Sequence, residues 1–171
     1  YSLPADKSLV IHNGVDARRF NERVDRKSVR ARYAVAPGDQ VVMYVGRLAW
    51  QKGPDLLLDS VPSVRRAHPA ANFAFVGDGE MRGQLHDQAS ATGLNGSVRF
   101  LGHRSGRELA SLIKSADVVC VPSRNEPFGI VVLEAWSASR PVVVSRNGGP
   151  AEFVRVQQNG VLGNHNPAPS G

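Results

Sequence analysis

The chain has 171 residues, a net charge of +6, an ordinary apolar fraction of 42% and few aromatics. Such a length suits one domain with a substantial core, because a chain of roughly 150 residues buries about two-thirds of its unfolded surface. No run approaches the ~20 apolar residues of a membrane span, "YSLPADKS" lacks the basic-then-apolar order of a signal peptide, and the lone Cys120 can form neither an internal disulfide nor a zinc site.

The chain begins at Tyr1 rather than Met and is expected to be a piece of something longer. Residues 1–35 read as a lead-in with one short strand, "SLVIH", and one basic helix. Its dense stretch "RRFNERVDRKSVRAR" also holds Glu22 and Asp25, so a solvated helix face is expected rather than a nucleic-acid patch. From residue 36 onward the pattern is regular. "QVVMYVG" is a short apolar run ending in glycine, hence a buried strand. "GPDLLLDSVPSVRRAH" has helical spacing at Leu57, Leu58, Val61 and Val64, with Pro62 expected to kink it. The strand "ANFAFVGDG" and the polar surface helix "EMRGQLHDQASATGL" follow. Next come the strand "SVRFLGH", the helix "GRELASLIKSA" and the strand "DVVCVPS", which seats Cys120 as a core thiol. The chain closes with a helix in "FGIVVLEAWSAS", a strand "RPVVVS", a short helix from "GPAEFVR", an edge strand "NGVLG" and a polar tail.

Strands that are short, continuous and apolar, alternating with helices, imply an α/β fold with a parallel sheet and helices on both faces. Ligands bind such sheets beyond the carboxyl ends of the strands. Those ends read "VGRLAWQKG", "VGDGE", "LGHR", "VPSRNEPFG" and "VSRNGGP", rich in glycine, arginine and acids. Gly46 permits close approach to the backbone. Arg47 and Lys52, five positions apart across a loop, can reach one anion or stand as two exposed cations. Around "NEPFGIVVLE", the backbone N–H groups of Phe128, Gly129 and Ile130 open a helix and offer an anion site without a side chain. Glu126 lies just before that site and Glu134 about a turn inside the helix. Each glutamate has two readings: Glu126 complements the helix dipole or grips hydroxyls, and Glu134 is an ion-pair partner or grips hydroxyls.

"NEPFGIVVLE" resembles the E-x7-E motif of retaining glycosyltransferases of the GT-B fold, in particular the GT4 family. "GRLAWQKG" is similar to that family's arginine–lysine loop, and "VIHNGVDARRF" to its segment leading into the domain. "FVGDGEMR", "VRFLGHR" and "NGGPAEFV" fall in the same order, so the likeness covers nearly the whole chain. It implies a Rossmann-like sheet that is the C-terminal half of a GT-B enzyme, spanning 36–171 and forming one unit with the lead-in. It implies a UDP- or GDP-sugar donor held by Arg47, Lys52 and the amides of Gly129 and Ile130. Glu126 would contact the donor sugar, Glu134 the ribose, and the loop at His103 and Arg104 the base. Transfer would retain anomeric configuration without metal or other cofactor. The half that carries the acceptor site is missing, so the isolated chain is expected to be inactive. The setting expected is cytoplasmic, with peripheral contact to the inner face of a membrane open and no nucleic-acid partner. A non-catalytic nucleotide-binding or regulatory module is the alternative. A nicotinamide enzyme would need G-x-G-x-x-G after the first strand, and a P-loop G-x-x-x-x-G-K-[ST]; both are absent.

Overall fold

In the computed structural model, residue 11, residues 13–156 and residues 158–163 are described. Most of the strand expected over 8–12, and the tail 164–171, lie outside them. A 3₁₀ turn at Ala17–Phe20 and helix α1 (Arg26–Ala31) precede strand β1 (Gln40–Val45). A second 3₁₀ turn at Trp50–Lys52 leads into α2 (Pro54–Ala67), β2 (Ala71–Val76), α3 (Arg82–Ala91), β3 (Val98–Gly102) and α4 (Gly106–Ser115). Then come β4 (Val118–Val121), α5 (Ile130–Ser137), β5 (Val142–Ser145), α6 (Pro150–Phe153) and β6 (Gly160–Gly163).

The strands form one sheet in the order β3-β2-β1-β4-β5-β6, and every neighbouring pair is parallel. Side chains alternate faces along each strand. Val41 and Met43 of β1 therefore join one core with Val119, Leu112, Ile113 and Val132. Tyr44 joins the other with Phe73, Phe75, Leu57, Leu58 and Leu85. Helices α1, α4 and α5 cover the first face; α2 and α3 cover the second. Each fully buried Phe or Leu contributes about 1.5–3 kcal/mol by leaving water, which is why both faces are sealed. Cys120 is buried in the second core, and burial alone pushes its thiol up to about 12. Among the described residues, no helix is long and apolar enough to cross a membrane.

Two expectations need correction. The basic stretch 18–32 is not one solvated helix but a 3₁₀ turn and the six-residue α1. Phe20 and Val29 sit in the core and Arg30 is only 8% exposed. The reason is Asp117: Arg26 Nη2 reaches its Oδ1 at 2.5 Å, and Arg30 Nη2 its Oδ2 at 2.6 Å. The Val41 N–H also donates to Asp117, at 2.7 Å. Burial works to raise the Asp117 carboxyl, but these donors and charges win and hold it below its ordinary 3.8. Helix α2 continues through Pro62 as one helix. Helix α5 begins two residues later than expected, at Ile130.

The strand order sets the site. The chain leaves β1 for β2 on one side and enters β4 from the other side, so the crossovers diverge between β1 and β4. The crevice at their carboxyl ends is the topological switch point, where open α/β sheets bind ligands. The loops 46–53 and 122–129 meet there.

Candidate functional site

Loop 46–53 leaves β1 under tight restraint. Tyr44 is buried, and its hydroxyl donates to the Arg47 carbonyl at 2.7 Å. Burial first, then the charges of Glu126 and Asp55, push the Tyr44 phenol above its ordinary value, so it stays a neutral donor. Gly53 adopts φ 63, ends the 3₁₀ turn and caps α2, where Pro54 takes the first helical position and Asp55 faces the helix dipole. The neighbouring loop after β2 presses close: a Cβ on Gly77 would lie 1.8 Å from the Gly46 carbonyl oxygen. Only glycine fits that approach.

Loop 122–129 faces it. Gly129, at φ 85, is the N-cap of α5, and no side chain caps that helix. The loop 146–149 clasps it from behind, with the Gly149 N–H donating to the Glu126 carbonyl at 2.8 Å. Lys52 Nζ and Glu126 Oε2 form an ion pair at 2.8 Å across the two loops. The Ser123 hydroxyl donates to the same carboxylate oxygen at 3.0 Å. A cavity of about 90 Å³ lies between Gly46, Lys52, Ser123, Glu126, Gly129 and Ile130. It therefore joins a lysine, a carboxylate and an uncapped helix start. A wider cleft of about 460 Å³ adjoins it, sharing Val45 and Gly46, and is lined also by Arg47, Gly77, Asp78, His103 and Arg104.

Of the residues singled out from sequence, the smaller cavity thus gathers Gly46, Lys52, Glu126, Gly129 and Ile130. Arg47, His103 and Arg104 line the adjoining cleft instead, Arg104 with an ion pair to Glu108 at 2.9 Å. Lys52 does not stand as a free exposed cation; it is turned toward Glu126. Phe128 packs its ring on Phe153, 5.6 Å between centroids. Glu134 lines neither cavity. It is 9% exposed on α5, where burial raises its carboxyl above the ordinary 4.5 and the charge of Arg19 pulls the other way.

Sequence reasoning missed Ser123, Tyr44 and the pair Asp55–Arg124. Arg124 makes a fork on Asp55, Nη1 to Oδ1 at 2.8 Å and Nη2 to Oδ2 at 2.6 Å. "DLLL" and "SRNE" are 69 residues apart in sequence; a charged residue at each loop was visible, but not that the two would meet. Among the described residues, no group of three or more His, Cys, Asp or Glu side chains could hold a metal ion.

The model of the family described as glycosyl transferases group 1 matches residues 25–169. An uncharacterized glycosyltransferase of Methanocaldococcus jannaschii is 38% identical over 164 residues, which cover 94% of this chain and 42% of that protein. The structure of Anabaena HepE in complex with UDP-glucose superposes with a TM-score of 0.82 at 33% identity, covering 94% of this chain and 44% of that one. The C-terminal domain of a group 1 family glycosyl transferase from Francisella tularensis has the same fold, with a TM-score of 0.77 at 22% identity and 80% of that domain covered. The chain spans less than half the length of the curated relative and of HepE.

Proposed function

Because the chain belongs to the glycosyl transferases group 1 family, we propose that it is the donor-binding half of a retaining glycosyltransferase that takes a hexose from a nucleoside diphosphate sugar. The observation that carries this is the Lys52–Glu126 pair beside the uncapped start of α5, at the switch point of the sheet. Anabaena HepE, which is seen with UDP-glucose, supports a UDP-sugar before a GDP-sugar.

In this reading the diphosphate sits over the start of α5, against Lys52 and Arg47. The bond between the anomeric carbon and the diphosphate oxygen breaks, and its electron pair stays on that oxygen. In this reading three positive groups stabilise the growing charge: the lysine ammonium, the helix N-terminus and, from the adjoining cleft, the arginine guanidinium. They do the work a divalent cation would do, so the proposal needs no metal. Glu126, oriented by Lys52 and Ser123, accepts hydrogen bonds from sugar hydroxyls rather than acting as a covalent nucleophile. The cleft at His103 and Arg104 receives the base, and Glu134, which lines neither cavity, takes the ribose on the strength of the motif resemblance. The acceptor hydroxyl arrives from a second half, a role consistent with the share of its relatives that this chain spans. Alone, the chain binds donor and transfers poorly or not at all.

A thermal-shift screen of UDP-, GDP- and ADP-sugars tests the reading. A ligand at 100 times its Kd stabilises by about 2.7 kcal/mol. For a chain of this size that raises the midpoint by roughly 5–10 °C. No concentration-dependent rise with any nucleotide sugar would refute it.

A further inference from the structure

The two loops that build the smaller cavity are joined by two ion pairs, not one. Loop 46–53 and the first turn of α2 supply Lys52 and Asp55; loop 122–129 supplies Arg124 and Glu126. Each pairs across: Lys52 with Glu126 at 2.8 Å, Asp55 with Arg124 at 2.6 Å. On both loops the cation comes first and the acid second, Lys52 before Asp55 and Arg124 before Glu126, so both pairs form only when the loops meet in antiparallel order. The Arg124 fork is well shielded, with side chains 15% and 18% exposed. Arg124 also donates to the Trp50 carbonyl at 2.8 Å, and its guanidinium lies 4.8 Å from the centre of the Trp50 ring. The N–H groups of Arg124 and Asn125 both donate to the Gln51 carbonyl, at 2.9 and 3.2 Å. Trp50 and Gln51 are the residues just before Lys52.

We propose that Arg124 is a positioning residue of the donor site: its fork on Asp55 fixes the turn that carries Lys52 and keeps Asp55 from competing with Glu126 for the lysine. The competition is physical. Asp55 stands three residues from Lys52, and the Lys52–Glu126 and Asp55–Arg124 pairs join the same two loops. A lysine is a flexible point charge and goes to whichever acid is unpaired. With Arg124 absent, Asp55 becomes that acid, and Lys52 swings off the diphosphate. A guanidinium matches the planar carboxylate with two bonds, which an ammonium does not.

This inference rests on the donor-site reading. The test is titration of UDP and GDP, with uridine and guanosine as controls, against the wild-type chain, R124A and D55N/R124A. Circular dichroism melts accompany it. Arg124 acts on the diphosphate end only. Its removal is expected to weaken the diphosphate that the wild type binds by about 10- to 100-fold, the effect of misplacing a positioned group. The matching nucleoside should stay within about twofold, a split that general loosening of the fold would not give. Removing Asp55 as well takes away the competing charge, so D55N/R124A should bind the diphosphate at least ~3-fold tighter than R124A, a difference of about 0.65 kcal/mol. Unchanged diphosphate affinity in R124A overturns the proposal. So does equal weakening of nucleoside and diphosphate, or a double variant no better than R124A. A wild-type chain that binds neither UDP nor GDP overturns the donor-site reading itself, and the positioning role with it.

Discussion

Replacing Glu134 by glutamine should stabilise the fold at neutral pH. Glu134 is 9% exposed and sits on α5 beside Val132 and Ala135, both buried. Burial raises its carboxyl above 4.5, and Arg19 offsets only part of that. Holding a largely buried carboxylate in its charged form costs free energy, because burial disfavours the ionised state. With Arg19 compensating in part, roughly 1 kcal/mol should be recovered when glutamine removes the charge and keeps the shape. For 150–250 residues that is about 2–4 °C in the melting midpoint. The pH dependence fixes the cause. An acid whose folded value is raised weakens the fold progressively as pH climbs above its unfolded value, and fully once pH exceeds the folded one. Below 4.5 the group is protonated in the folded and unfolded chain alike, and the penalty vanishes. Urea melts of wild type and E134Q from pH 4 to 8 should therefore diverge as pH rises, with E134Q the more stable. If Glu134 also accepts from the ribose, E134Q should weaken nucleotide binding by about tenfold or more, since hydrogen bonds to charged groups contribute about 1.5–3 kcal/mol. An E134Q chain less stable than wild type at pH 7, or a gap that ignores pH, would show that the buried charge is compensated and the reasoning wrong.

Lys52→Ala should weaken nucleotide-sugar binding by about 10- to 100-fold in calorimetry while the fold melts within a few degrees of wild type, because the lysine is partly exposed and its pair with Glu126 spans two loops rather than the core. Gly129→Ala should destabilise by about 1–3 kcal/mol in chemical melts: the position needs φ 85, and a Cβ would stand 2.6 Å from Pro150 Cγ. Asp117→Asn should also destabilise, leaving Arg26 and Arg30 facing a neutral group. Because the folded carboxyl is held below 3.8, its stabilisation is complete above that value and fades as pH falls through the lower folded value. The difference between Asp117→Asn and wild type should thus close in acid, and a difference that persists at pH 2 would refute the charge argument.

The order of elements, the parallel sheet and the composition of its binding edge were legible from residues alone. Short runs such as "QVVMYV" and "ANFAFV" have no polar face, so they can only lie between two helical layers. The glycine that closes "EPFG", at φ 85, takes a backbone angle that favours glycine, and the first glycine of "VGDG" marks a place where backbone must approach backbone. Lys52 and Glu126 were chosen for their chemistry, and they share a cavity. What sequence could not give was who pairs with whom. Asp117 with Arg26 and Arg30, and Asp55 with Arg124, join residues on the order of 70 to 90 positions apart. A charge visible in a loop has many potential partners until the strand order chooses one. The same holds for Glu134: its spacing placed it a turn along the helix, but only packing decided that it would be buried near Arg19. Periodicity is a local property and fixes elements; electrostatic partnership depends on distance in space, which only the folded sheet sets.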